Sequence, residues 1–507
     1  MLEQITPIHA PASYLDRPTR KLIMVSNRGP VEHFFDDSGR IRRREAAGGV
    51  ATALGSVARQ QPVTWIAIAA TDADKAVRIL DQRVPIGRES DLRLLDLPEK
   101  AFHAYYGVFC NPILWFVQHS IGDQLLSKDL AAEALDAWRD GYQPINEAFA
   151  TAVIEEIEGD GADTQVMLHD YHLYTAPRTI RAAKPRAALQ QFVHIPWPAP
   201  SAWRRLPDLI VRRICSGMLA NDSIVFQTES SVTNFLATCR AYVPHAKVME
   251  RQGEVDYLGQ TTFIWSNPVS LDSRELDLLR STAAIEGYRQ SFKAPEGVKT
   301  IVRVDRLDPS KNVADGYEAF DLLLQRNRHL HGKVRFLSFL VPSRDGVPEY
   351  AAYKRRVFDL IDAINHKYGT KDWTPITVFH EHNRLQALAA LTLYDVLLVN
   401  SVADGLNLVS KEGPLLNERD GVLALSTTAG SYEELVAGAL PVNPFDIVDT
   451  ADALDRALHM SAKERAQRHA ALREAISRHQ TCDWLKQQLR DLDISSHMKQ
   501  IERNSIT

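Results

Sequence analysis

The feature that most constrains this 507-residue chain is an alternation that recurs along it: a short apolar run, a polar ending, then helical periodicity. KLIMVSNR (21–28), VTWIAIAA (63–70), DTQVMLHDYHL (163–173), ALQQFVHIPWP (188–198) and NDSIVFQT (221–228) all read this way. Apolar runs this short, without inside-outside alternation, suit strands covered on both faces. Strands separated by helical patterns predict an α/β fold with a mostly parallel sheet. The pattern then restarts with VKTIVRVDRLDPSKN (298–312) and the helical ADGYEAFDLLLQRN (314–327). KVRFLSFLVPSR (333–344), the amphipathic YKRRVFDLIDAINHKY (353–368), TPITVFH (374–380), YDVLLVNS (394–401) and GVLALST (421–427) follow. Two successive doubly wound halves with a cleft between them are therefore expected. The divisions fall at 1–20, a flexible polar arm; 21–265, the first half; 266–455, the second; and 456–507, a C-terminal helix packing back across the cleft.

Composition narrows the function classes. Lys+Arg is 59 against 64 Asp+Glu, a net charge of −5, which disfavours a general nucleic-acid binder. No apolar run approaches the ~18 residues of a membrane span, and the first twenty residues carry no apolar core of a signal peptide. The four cysteines (Cys110, Cys215, Cys239 and Cys482) are widely spaced and read as buried free thiols of a cytoplasmic protein. Neither a phosphate-loop signature, GxGxxG, HExxH nor GxSxG occurs, which disfavours nucleotidases, nicotinamide dehydrogenases, zinc proteases and serine hydrolases. Asp72 and Asp74 read as a solvated turn.

Three segments carry the chemistry. In RVDRLDPSKN (303–312), Arg306 and Lys311 flank a strand end and its turn, two cations suited to charge building up on a departing diphosphate. In NSVADGLNLVSKEG (400–413), Gly405 allows a tight turn and the Leu408–Val409 amides open a helix, a ready anion site. There Asp404 is placed to accept sugar hydroxyls and Glu412 ribose hydroxyls. HDYHL (169–173) and FVHIPWP (192–198) bring Asp170 and His194 to one sheet edge as a polar pocket floor, and parallel sheets collect ligands at that edge. Gly48-Gly49 opens a small-residue helical pattern where backbone can approach a ligand.

Taken together, SNR (26–28), AGG (47–49), YYGVFCNPILW (105–115), HDYHL, HIPWP, FQTE, RVDRLDPSK, PSR (342–344) and DGLNLVSKE resemble the trehalose-6-phosphate synthases. These are retaining glycosyltransferases of the GT-B type, with two Rossmann-like domains facing a central cleft. The likeness runs from about 21 to 460. It implies that Arg28, Tyr106 and Arg344 clamp the phosphate of a glucose 6-phosphate acceptor, with Trp115 as an aromatic wall. Asp170 would hold acceptor hydroxyls near the anomeric carbon, and His194 would contact the donor sugar. Gly48 and Gly49 would approach the donor phosphates. Arg306 and Lys311 would stabilise the diphosphate. Asp404 and the stretch Asn407, Leu408, Val409, Ser410, Lys411 and Glu412 would hold the donor sugar, diphosphate and ribose.

The implied reaction passes through an oxocarbenium-like state, with same-face attack, retained configuration and domain closure that excludes water. It implies no cofactor and no metal, side-chain cations taking that role. The substrates are a UDP- or GDP-glucose and glucose 6-phosphate. The partners are small molecules, with no nucleic acid and no membrane, and a homo-oligomer is left open. The chain departs from the family pattern at Pro309-Ser310-Lys311-Asn312, where Tyr-Ser-Lys-Gly is common, and at Ala403, where Arg often stands. FHEHN (379–383), where the family commonly reads the nucleobase, differs from the uridine-using pattern, and Gly413-Pro414 with NERDG (417–421) resembles an actinobacterial-type branch that includes GDP-glucose users, a slight lean toward GDP over UDP. That branch also resembles pseudo-glycosyltransferases joining cyclitols, and glucosylglycerol-phosphate synthesis is the other alternative.

Overall fold

The computed structural model describes residues 20–45, 62–81, 83–126, 130–344, 346–478 and 481–506. The chain divides into two compact units. The first comprises residues 1–118, 122–269 and 483–507, and the second 119–121 and 270–482. Among the described residues no helix is long and apolar enough to cross a membrane.

The first unit is built on a ten-stranded sheet. Its parallel part runs, in spatial order, Gln260–Ser266, Ser223–Phe226, Ala188–Val193, Thr164–His169, Lys21–Val25, Thr64–Ile68 and Asp91–Leu95. Antiparallel strands close both edges. In chain order this is 7-6-5-4-1-2-3, so the winding reverses between Lys21–Val25 and Thr164–His169. Ligands of open α/β sheets gather at such a reversal, beyond the carboxyl ends of the strands. The apolar runs behave as their composition requires, Thr164–His169 and Ala188–Val193 being buried along their whole length.

Two elements of this unit do not follow from periodicity. One is an antiparallel hairpin, Val31–Phe35 with Ile41–Glu45. The other is a π-helix, His103–Leu114, packed on a second π stretch, Trp138–Tyr142. The two approach so closely that a Cβ on Gly141 would lie 2.4 Å from the Tyr105 backbone nitrogen. Only glycine fits there. Asp72 and Asp74 correct an expectation. They open the helix Asp72–Leu80, and Asp74 is buried, completing a capping box with Thr71 and pairing with His33 at 2.8 Å. The turn is an anchor for the hairpin rather than a solvated loop.

The second unit holds a six-stranded parallel sheet in the order Ile376–Phe379, Val334–Val341, Lys299–Arg306, Val396–Val399, Val422–Ser426, Leu440–Val442. That is 3-2-1-4-5-6, the doubly wound Rossmann order, reversing between Lys299–Arg306 and Val396–Val399. Apolar clusters cover both faces. Tyr317, Phe320, Leu323, Val357 and Leu454 belong to one, and Leu388, Leu416, Leu435 and Leu472 to the other.

The region from 456 is not a single helix. It contains the end of Ile447–His459, then Ala462–Ser477, then Thr481–Ile506. Only the last, from Asp483, groups with the first unit. There Trp484 donates to the Asn267 carbonyl, and Asp493 pairs with Arg20 and accepts from Gln165. Cys110, Cys215 and Cys239 are buried free thiols; the Cys482 side chain lies outside the described residues, as does the arm 1–19.

Candidate active site

In the first unit the reversal point brings together residues from three segments. Arg28 follows the strand Lys21–Val25 and is exposed. Its carbonyl accepts from Ser26 Oγ at 2.6 Å, and Trp65 in turn donates to that hydroxyl. Tyr105, at the head of the π-helix, donates to Asn27 Oδ1 at 3.1 Å, tying the helix to the residue beside Arg28. The half-buried Tyr106 stacks on Phe102 and on His172. Trp115 is buried against Tyr171, so it backs this region more than it faces solvent. Gly48 and Gly49 lie outside the described residues.

Asp170 ends the strand Thr164–His169 with φ 71° and ψ 177°. That backbone region belongs almost wholly to glycine and costs an aspartate roughly 1–3 kcal/mol. Hydrogen bonds to the adjoining strand hold it. The Asp170 amide donates to the Phe192 carbonyl at 2.6 Å, Gln191 donates to its carbonyl at 2.9 Å, and its carboxylate accepts from the His194 amide at 3.1 Å. The strained residue thus locks the neighbouring strand ends to each other. The His194 ring lies 3.3 Å from the His169 ring, nitrogen to nitrogen. Burial pushes His169 down to about 3; burial and then the neighbouring ring hold His194 well below the usual imidazole range. Both rings are neutral at physiological pH.

The second unit gathers Arg306, Lys311, Arg344 and Asp404 at its own reversal point. Arg306 ends the first strand of the sheet, and Lys311 lies in the turn Pro309–Lys311 that follows. Asp308, fully buried, is the hub. One carboxylate oxygen accepts from the Ser310 amide and hydroxyl. The other accepts from Tyr350 at 2.9 Å and Arg344 at 3.2 Å, with Arg306 at 3.5 Å. Burial alone would raise its carboxyl, but Arg306, Arg344 and His119, which groups with this unit, hold it far below the carboxylate range. Arg344 also donates to the Tyr350 hydroxyl.

Lys311 is ion-paired with Asp404, which also accepts from Asn407 at 3.0 Å. Burial would raise Asp404 too; the Lys311 ammonium, with hydrogen bonds from Lys311 and Asn407, keeps it lowered. Beneath the turn, the wholly buried Arg303 donates to the Lys311 carbonyl at 3.0 Å, to Asp305 at 2.9 Å and to Asn400. Arg344 is thus held by the buried Asp308 and Lys311 by the half-buried Asp404, with Arg306 3.5 Å from Asp308, an arrangement suited to stabilising charge on a leaving group.

The loop after Val396–Val399 leads into the helix Val409–Leu416. Its left-handed residue is Asn407 (φ 85°), not Gly405. Asn407 also caps the helix, its Oδ1 accepting from the Ser410 amide. Leu408 and Val409 lead into the first helical turn. Ser410 is buried against Ser431. Lys411 is buried and ion-paired with Glu434. Glu412 is raised by burial, the effect of Arg384, 3.8 Å away, being insufficient to reverse it. The departure at Asn312 also has a physical reason. Its φ of 56° is left-handed, a conformation that asparagine tolerates best after glycine.

Sequence reasoning missed Asp308, Tyr350 and Arg303. Asp308 stood in the RVDRLDPSK motif, but nothing local signals that a turn aspartate will hold two arginines, one of them thirty-six residues away.

Comparison with known proteins bears on this arrangement. The family model described as glycosyltransferase family 20 matches residues 20–494. An Arabidopsis thaliana α,α-trehalose-phosphate synthase (UDP-forming) is 30% identical over 92% of this chain and 49% of its own length. The chain thus spans about half of that relative. A validamine 7-phosphate valienyltransferase of Streptomyces hygroscopicus subsp. jinggangensis is 29% identical over 92% of this chain and 93% of its own. Among solved structures, an α,α-trehalose-phosphate synthase (UDP-forming) from Burkholderia xenovorans in complex with glucose-6-phosphate superposes with a TM-score of 0.79 at 26% identity. It covers 93% of this chain and 100% of that one.

Proposed function

The chain belongs to glycosyltransferase family 20, and from that premise we propose that it transfers glucose from a nucleoside diphosphate glucose to glucose 6-phosphate, with retention, forming α,α-trehalose 6-phosphate. One observation carries the reading: Arg306 and Lys311 stand at the sheet reversal of the second unit, oriented by Asp308 and Asp404. The C1–O bond of the donor loosens toward an oxocarbenium ion. The guanidinium of Arg306 and the ammonium of Lys311 take up the charge that gathers on the departing diphosphate, aided by the amides opening Val409–Leu416. Asp404 and Glu412 accept hydroxyls of the donor sugar and ribose. Asp170 and His194 serve the hexose, Arg28, Tyr106 and Arg344 the acceptor phosphate. The acceptor hydroxyl attacks from the face the diphosphate leaves, and a phosphate oxygen takes its proton. In this reading no cofactor takes part.

The relatives and neighbour named above include UDP-forming synthases, so UDP-glucose is the first donor to try, and GDP-glucose tests the departure at 379–383. The test is a matrix of UDP-, GDP- and ADP-glucose against glucose 6-phosphate and glycerol 3-phosphate, scored by nucleotide release and product mass. A disaccharide monophosphate from glucose 6-phosphate is expected. Release only with glycerol 3-phosphate would overturn the acceptor, and no release from any donor would overturn the reading. The valienyltransferase relative makes a nucleotide-activated unsaturated cyclitol a worthwhile further donor.

A further inference from the structure

The hydrogen bonds that end on His194 determine which of its nitrogens carries the proton. The Val269 amide donates to Gln227 Oε1 at 2.8 Å, so the other end of the Gln227 amide, Nε2, faces His194 Nδ1 at 3.4 Å. An amide NH2 only donates, so Nδ1 must accept. A neutral imidazole has one proton, which then sits on His194 Nε2. That nitrogen faces His169 Nδ1, which must accept in its turn. His169 therefore carries its proton on Nε2, and this atom is buried with no hydrogen-bond partner among the described residues. The opposite assignment would set the Gln227 NH2 against an N–H. Gln227 is itself buried, and its anchor is the last residue of the first unit, since the chain passes to the second at Ser270.

We propose that Gln227 is a positioning residue that sets His194 as an Nε2–H donor, and that this proton is offered to a hydroxyl oxygen of the transferred hexose. The identity of the sugar rests on the proposed function; the tautomer does not. The contact with His169 is 3.3 Å, and in the proposed complex a sugar hydroxyl oxygen takes its place. His169 holds the donor in place until then. Among the described residues, the titratable groups facing His194 are His169 on the adjoining strand and Asp170, whose carboxylate accepts the His194 amide. Gln227 brings no charge.

The test is a long-range proton–nitrogen spectrum of the full chain carrying 15N-histidine, with the His194 signals assigned by their loss in His194→Asn. Between pH 6 and 8, Nδ1 is expected unprotonated and Nε2 protonated. Gln227→Glu keeps an acceptor for Val269 but turns a second acceptor on Nδ1. It is expected to move the proton to Nδ1 or charge the ring, and to lower kcat/KM for the donor at least tenfold, with a new acid limb and acceptor KM within twofold. Protonated Nδ1 in the parent chain, or a Gln227→Glu spectrum like the parent's, overturns the proposal. The expected spectra, with no transfer from any donor, overturn the sugar contact and leave the tautomer standing.

Discussion

Replacing Asp308 with asparagine tests the hub directly. Asparagine keeps one acceptor oxygen, enough for the Ser310 amide and hydroxyl, but turns an NH2 toward Tyr350, Arg344 and Arg306. Arg344 is 10% exposed and Asp308 fully buried, so that pair counts in full at about 1.5–3 kcal/mol for a hydrogen bond to a charged group. The Tyr350 hydroxyl, left without its acceptor, adds about 1 kcal/mol. Arg306 is 37% exposed and screened, and is discounted to near zero. The sum is about 3 kcal/mol, roughly a hundredfold in the folding equilibrium. The sign of its pH dependence follows from the depressed carboxyl. The stabilisation is complete above the unfolded value of about 4 and is lost as pH falls through the lower folded value. Urea unfolding of parent and variant should therefore differ by about 3 kcal/mol at pH 7.5, by the same amount at pH 5.5, and by less below about pH 4. A difference under about 0.5 kcal/mol at pH 7.5, or one that shrinks between pH 7.5 and 5.5, refutes the hub.

Arg306→Ala should cut kcat by ~10² or more, the loss seen when a strong transition-state donor goes, with the unfolding midpoint nearly unchanged; parent-like turnover removes its role. Gly141→Ala forces a Cβ onto the Tyr105 backbone and should cost about 1–3 kcal/mol while raising KM for glucose 6-phosphate more than for the donor. Prolonged dialysis against a chelator should leave turnover within twofold, since the charge is supplied by side chains; restoration by a divalent cation would refute that.

The alternation of apolar runs and helices placed most of the parallel strands of both sheets, because burial on both faces leaves a local mark; Asp91–Leu95, whose burial alternates, Gln260–Ser266 and Leu440–Val442 were not read. The hairpin Val31–Phe35 with Ile41–Glu45 left none. IRRRE is charged, and its partner strand is anchored by His33 to Asp74, forty-one residues on. The π-helix was equally silent, since its twelve residues carry a proline and no amphipathic stripe. At the site, Arg306, Lys311 and Asp404 could be read from motif and strand end. Their being held by Asp308 and by one another could not, because long-range ion pairs have no period. Gly405 was credited with a turn that Asn407 makes, local chemistry naming the kind of residue but not the position.

The backbone of Asp170 has a wider meaning. A glycine at 170 would relieve a torsional strain of roughly 1–3 kcal/mol but would take the carboxylate acceptor from the His194 amide, a loss of about 1–3 kcal/mol, so the exchange leaves the fold no sturdier. The strained residue thus supplies, through its own carboxylate, the bond that offsets its torsion.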